Sequence, residues 1–314
     1  LRIGGLGVKS IFIQIPSYND SELAKTVNDA IKSCSSNSKL HFGISNCVME
    51  DSEIEYPVCK SPHKITMRTI IAPDGIGAGE GRYTANSFYD GEDYYLQIDA
   101  HMRFRQNWDI GLISSIENYL TVGVEKPLVS MYPASYWYDK SMVETRDPNK
   151  GLTRIKFVEK LEDFKTLNFP HQTAIGSYHE CGYTFSISGA SVFSTGDFSL
   201  VKPNRKIAFW GEELLTAARS FTHGFTPVMP NGSYLYHLYF DSSATIERNK
   251  RRHAWQDFPE EWSKLVEGSN SEFLNILENN IIGEFALGSK RTLDEYFEFA
   301  GINFADRTVV TRSN

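Results

Sequence analysis

The chain lacks any C-x-x-C pair. Its four cysteines, Cys34, Cys47, Cys59 and Cys181, stand at spacings that fit no zinc framework. Free, mostly buried thiols in a reducing compartment are expected, with a Cys47–Cys59 bridge as the open alternative. No apolar run reaches the ~20 residues needed to span a bilayer, so no transmembrane segment is expected. Leu1 to Gln14 carries one early arginine but no apolar h-region, so no signal peptide is expected. The chain opens on Leu1 rather than Met, which leaves room for an upstream segment. A soluble cytoplasmic protein is the resulting expectation. Positive charge is also scarce: 32 Lys and Arg stand against 39 Asp and Glu, a net charge of −7. That balance argues against nucleic-acid partners, although Asn249 to His253 (NKRRH) is a local basic patch. There are no internal repeats and no low-complexity segment.

What is present is enough for a sizeable core: 314 residues, 41% of them hydrophobic. Ile11 to Ile15 is a β-branched run that reads as a strand. Pro16-Ser17-Tyr18-Asn19-Asp20 breaks it, and Asn19 or Asp20 is expected to cap a helix. Leu23, Val27, Ala30 and Ile31 follow at helical spacing. Leu40 to Ser45 reads as a second strand, and Asp51 to Thr66 as a loop. Ile70 to Asp90 holds the densest glycine cluster. It matches neither a dinucleotide fingerprint nor a P-loop with its lysine; it reads as a strand, a flexible turn and a helix starting near Arg82. Its glycines serve either an approach of backbone to phosphate or a plain loop. Asp109 to Leu120 reads as a helix with Ile110, Ile113, Ile116 and Leu120 inward. Pro127 to Tyr132, Tyr183 to Ile187 and Tyr234 to Phe240 read as strands, Glu144 to Thr153 as an exposed connection, Gly211 to His223 as a helix. From Glu260 onward the pattern is helical. Strands alternating with helices indicate an α/β fold with a largely parallel sheet.

The segment Tyr94 to Arg105 (YYLQIDAHMRFR) carries the strongest chemical signal. A buried strand ends in Asp99-Ala100-His101, and two residues apart on extended backbone face the same side. Ligands of open α/β sheets sit just outside the carboxyl ends of the strands. A carboxylate and an imidazole there suit a divalent cation such as Mn²⁺, able to hold the diphosphate of a nucleotide sugar. A strand end with two polar residues in a turn explains the triplet equally well. Glu212 and Glu213 open a helix, where acidic residues are ordinary. His237, among tyrosines, is on local grounds more often a core histidine than a ligand.

Beyond single motifs, the chain resembles the GlcNAc-transferase family that includes the cytoplasmic hydroxyproline-modifying α-GlcNAc transferase of protists. The resemblance runs through IFIQIPSYND, GEGRY, YYLQIDAHMRF-x3-WD, FSISGASVFS, IAFWGEELLTAARSFTHGF, YHLYF and GSKRTLDEYFEFAGINF, in the family's order. It implies a GT-A-type nucleotide-sugar-binding fold over residues 1–258, with a helical extension, 259–314, packed on the same domain. It implies a UDP-sugar donor, UDP-GlcNAc first, an acceptor hydroxyl on a protein, glycan or lipid, a divalent metal (Mn²⁺, or Mg²⁺) and retention of anomeric configuration. By the same resemblance Asp99, His101 and His237 hold the metal. Pro16, Ser17 and Tyr18 hold the uracil, and Arg82 faces the diphosphate. Gly189 and Ala190 lie under the donor sugar, and Glu212 and Glu213 contact sugar or acceptor. Three positions depart from the family. Ala100 replaces a serine, Gly79-Glu80-Gly81 replaces a Gly-Pro segment, and Asp241 stands where a basic residue is usual; Arg251 or Arg252 is the candidate substitute.

Two rivals follow. An inverting transferase needs a carboxylate to deprotonate the acceptor, a role open to Glu213. A non-catalytic nucleotide-sugar-binding protein keeps the fold without turnover. A nucleotide-sugar pyrophosphorylase would show a Gly-rich loop with a basic residue near the start, which Ile11 to Asp20 lacks.

Overall fold

The structure is a computed structural model, and it describes residues 7–147, 151–158, 169–178, 182–239, 251–278 and 281–310. Leu1, Cys181, Phe240 and Asp241 lie outside the described residues, as do Asn249 and Lys250.

The first half of the chain runs β1 (Lys9–Tyr18), α1 (Leu23–Ser33), β2 (Ser38–Val48), β3 (Lys64–Ile71), α2 (Ala78–Asn86), β4 (Tyr94–Ile98), β5 (Met102–Phe104) and α3 (Trp108–Thr121). It continues through β6 (Pro127–Ser130), β7 (Ala134–Tyr138), β8 (Glu144–Arg146), β9 (Leu152–Val158), β10 (His171–Tyr178) and β11 (Ser191–Thr195). After these come α4 (Glu212–Thr222), β12 (Thr226–Val228), β13 (Leu235–His237), α5 (Ala254–Asp257), α6 (Pro259–Leu277) and α7 (Leu293–Ala300), then a short hairpin, β14 (Ile302–Asn303) and β15 (Thr308–Val309).

Seven strands form the central sheet in the order β12-β6-β11-β4-β1-β2-β3. All neighbours are parallel except those of β11, which runs antiparallel to β4 and β6. The expected α/β class with a mainly parallel sheet and flanking helices is therefore what the chain adopts. Strand alternation explains the layers. Ile11, Ile13 and Ile15 pack with Leu23, Val27 and Ala30 of α1 and Leu112 and Ile116 of α3. Phe12 points the other way, into a core shared with Leu214 and Phe221 of α4, Phe273 of α6 and Tyr296 of α7. Each such buried side chain contributes about 1.5–3 kcal/mol. A second sheet, β5-β13-β7-β8, sits beside the first.

Several local expectations are corrected. α1 starts one residue after Glu22, not after a cap at Asn19 or Asp20; Asp20 Oδ1 instead accepts the Glu22 N–H at 2.9 Å. The loop after β2 gives way to β3 at Lys64. α2 begins at Ala78, so Gly79 and Gly81 are helical. A Cβ on Gly79 would lie 2.2 Å from the Asn204 carbonyl oxygen; close helix packing, not a phosphate loop, demands that glycine. α3 buries Trp108, Asp109, Leu112, Ser115, Ile116 and Tyr119, leaving Ile110 and Leu120 exposed. Tyr183 to Ile187 is not a strand; the strand is β11, just after it. Cys34, Cys47 and Cys59 are free thiols, so no Cys47–Cys59 bridge forms. Among the described residues no helix is long and apolar enough to cross a membrane.

Candidate active site

The cleft arises where β1 outruns its neighbour. β4 pairs with β1 only from Ile11 to Gln14, whereas β1 continues beside β2 as far as Tyr18. Pro16, lacking an N–H, therefore forfeits no ladder bond to β4. The chain released after Ile98 turns away and opens a notch at the carboxyl ends of the strands. There a cavity of about 400 Å³ is lined by residues from Pro16 to Tyr18, from Asp99 to His101, and by Arg82, Gly189, Ala190, Glu212, Glu213 and His237. Every site residue expected from the sequence borders this one space.

Asp99 follows β4, and His237 ends β13, whose register sets it opposite Met102, the residue after His101. The His101 and His237 Nε2 atoms lie 2.9 Å apart. Asp99 Oδ2 is 3.2 Å from His237 Nε2 and 3.8 Å from His101 Nε2. Among the described residues these three form the one His/Cys/Asp/Glu group able to hold a metal ion. Two imidazoles and one carboxylate suit a borderline divalent cation. The buried Nδ1 of His237 has no hydrogen-bond partner, so a proton displaced from Nε2 by a cation has a vacant ring nitrogen to occupy. The residues fit a metal.

Burial pushes the His237 imidazole down to about 4, against the Asp99 hydrogen bond that favours its charged form. Burial works to raise Asp99, but the His237 hydrogen bond and the Arg82 charge outweigh it and hold the carboxyl well below the usual range. Arg82 is buried, 3.0 Å from Asp99 Oδ1 and 3.2 Å from Glu212 Oε1, and it donates to the Gly189 carbonyl at 3.0 Å. Its guanidinium thus sits between two carboxylates, and its Nη1 has no acceptor. Ser17 Oγ is likewise buried without a partner. The Tyr18 hydroxyl donates to Asp257 at 2.9 Å.

Glu212 and Glu213 open α4 with their carboxyl groups in the cavity. Burial raises Glu212, and Arg82 offsets part of the rise. Glu213 is pushed up to about 8 by burial, with the charges of Glu212 and Asp99 adding to it. Glu213 accepts the Gly189 N–H at 2.6 Å and an N–H of Gln172.

Sequence reasoning missed the parts played by Gln172, Asp20 and Trp255, and had named Arg251 only as a substitute basic residue. Gln172 on β10 also donates toward the Tyr132 hydroxyl and the Ile187 carbonyl, both at 2.9 Å. No motif marked it. Asp20 accepts from His101 Nδ1 at 2.7 Å; it was read only as a cap. Arg251 touches His101 Nε2 through Nη1, and Arg251 to His253 line the cavity rather than an outer basic face. Trp255 stacks on His253 at 4.1 Å and packs near Trp210 and Trp262.

A model of the glycosyltransferase (GlcNAc) family matches residues 46–306, well over half of the chain. No curated protein matches. Similar solved structures include GalNAc-T7 with UDP, GalNAc and Mn²⁺, at 13% identity over 94% of this chain and 55% of that one, with a TM-score of 0.45. TarS of S. aureus is similar at 9% identity over 93% of this chain and 42% of that one, TM-score 0.44. TarS 1-349 in complex with UDP-GlcNAc is similar at 12% identity over 95% and 72%, TM-score 0.44. The chain spans about half the length of the first two.

Proposed function

The chain belongs to the glycosyltransferase (GlcNAc) family, and from that premise we propose that it moves a sugar, GlcNAc, from a UDP-sugar to an acceptor hydroxyl. The observation that carries this reading is the meeting of Asp99, His101 and His237 in one cavity with Ser17, Arg82 and the Glu212–Glu213 pair. In this reading the fold is of GT-A type. Residues 1–258 carry catalysis, and residues 259–314 complete the domain through α6 and α7. Asp99, His101 and His237 hold a divalent cation, Mn²⁺ in preference to Mg²⁺. Bound there, such a cation would offset the charge of the diphosphate and supply Lewis-acid chemistry toward the UDP leaving group.

Pro16, Ser17 and Tyr18 hold the uracil, a role supported by the unpartnered Ser17 hydroxyl. Arg82 offers the free hydrogens of Nη1 to the donor while balancing Asp99 and Glu212. Gly189 and Ala190 form the floor under the sugar. A side chain at 189 would press on Glu212 Oε2 at 3.0 Å and Arg82 Nη2 at 3.1 Å. Glu212 stabilises positive character at the anomeric carbon, and Glu213 offers its carboxyl proton to the acceptor or sugar.

Retention is favoured over inversion because no carboxylate here stands free as a base: Glu213 accepts the Gly189 N–H and an N–H of Gln172, and burial raises its proton affinity. The acceptor in this reading is a hydroxyl on a protein, a glycan or a lipid. The free thiols of Cys34, Cys47 and Cys59 support a reducing, cytoplasmic setting.

The test is a panel of UDP-sugars with and without Mn²⁺, reading released UDP, with Asp99→Ala as control and the product anomer determined by NMR. Metal-dependent release from UDP-GlcNAc, lost in the variant, is expected. Metal-dependent UDP binding without release, even with acceptors supplied, would point to a binding protein instead.

A further inference from the structure

Asp20 Oδ2 lies 2.7 Å from His101 Nδ1. A carboxylate can only accept, so Nδ1 carries the hydrogen. Nε2 is then left with the lone pair, and it lies 2.9 Å from His237 Nε2 and 3.8 Å from Asp99 Oδ2. Arg251 Nη1 lies against both ring nitrogens, so it meets the face of the ring and takes no part in choosing the tautomer.

Asp20 is itself held in place. Its side chain is 9% exposed, and its Oδ1 accepts the Glu22 N–H at 2.9 Å. His237 has no such arrangement: its Nδ1 is buried and unpartnered, and its Nε2 faces the acceptor-only Asp99. One imidazole is prepared for a cation and the other must shift its proton.

We propose that Asp20 is a positioning residue for the cation: it fixes His101 in the Nδ1–H tautomer and keeps the Nε2 lone pair aimed into the site. The proposal rests on the metal reading above. A carboxylate behind a ligating histidine orients the ring and raises its basicity, and its loss typically weakens metal binding about 10–100-fold. Asp20→Asn is the informative variant, because its amide oxygen can still accept the Glu22 N–H while the negative charge is gone.

Two measurements on the whole chain test it. Mn²⁺ titration by calorimetry, with melting curves to verify folding, should show Asp20→Asn binding about 10–100-fold more weakly than the unaltered protein. Long-range ¹H–¹⁵N NMR of metal-free protein, assigned with His101→Gln, should show His101 as the Nδ1–H tautomer and a shift toward the Nε2–H tautomer in Asp20→Asn, whose amide NH₂ faces Nδ1. Unaltered affinity and tautomer in Asp20→Asn, alongside Asp99-dependent Mn²⁺ binding by the unaltered protein, would overturn this proposal and leave the metal reading standing. If the unaltered protein bound Mn²⁺ no better than Asp99→Ala, both would fall.

Discussion

Glu213 accepts the backbone N–H of Gly189 at 2.6 Å, which ties the first turn of α4 to the segment just before β11. With its acidity at about 8, this carboxyl is mostly protonated at neutral pH. UDP release should hold steady up to about pH 8 and fall above it as the proton is lost. Glu213→Gln, a permanent copy of the neutral form, should keep release within about tenfold and abolish the alkaline limb. A pH–rate profile of both proteins checks this, and a dead Gln variant would restore the inverting alternative.

The same group sets a direction for stability. Its folded value lies above the ordinary 4.5. Its contribution is therefore fully present below pH 4.5 and is lost as the pH rises toward 8. Relative to the unaltered protein, Glu213→Gln should gain about 1 kcal/mol or more at pH 9 and little at pH 5, read from urea midpoints.

Arg82 balances two carboxylates, so removing it strands both. Arg82→Met should destabilise by about 3–5 kcal/mol, the cost of an uncompensated buried charge. The double variant with Glu212→Met should recover part of that loss in the same denaturation experiment.

Metal removal and ligand removal should agree. A chelator should abolish UDP release, and Asp99→Asn should reduce it at least about 100-fold at saturating Mn²⁺. Release that persists through both treatments would remove the cation from the reaction.

Two glycines should respond in opposite senses. Gly79→Ala drives a methyl into the Asn204 and Ile207 carbonyl oxygens and should cost about 1–3 kcal/mol. Gly268, inside α6 with nothing within 4 Å of a new Cβ, should gain about 0.5–1 kcal/mol as alanine. Thermal melts of the two variants decide.

The layered α/β architecture was legible because the strands of the sheet are continuous apolar runs and α1 and α4 carry regular stripes. Asp99 and His101 were legible because an abrupt change from apolar to polar marks a strand end. His237 was not, since β13 has three residues and takes its place from pairing with β5; only the family resemblance pointed to it. Periodicity misjudged α3 because distant partners hold Asp109 inside: Ser35 and Ser38 both donate hydroxyl hydrogens to it at 2.5 Å. The YTFSI run looked like a strand, yet the Thr184 N–H goes to Pro227 and the Phe185 N–H to Ile155, so no single neighbour supplies a ladder. Gln172 reaches Glu213 from a hairpin more than 40 positions away, a relation that no local pattern encodes.

His237 belongs to the four-stranded sheet, whereas Asp99 directly follows a strand of the seven-stranded one. An ion gripped by both would rivet the two sheets at their meeting edge. Ligand linkage then makes the melting temperature a gauge of free cation, worth about 2.7 kcal/mol at a hundredfold excess over the dissociation constant. A cell short of that cation would hold a looser, more easily degraded protein, so supply of the ion would govern how much enzyme survives as well as how fast it turns over.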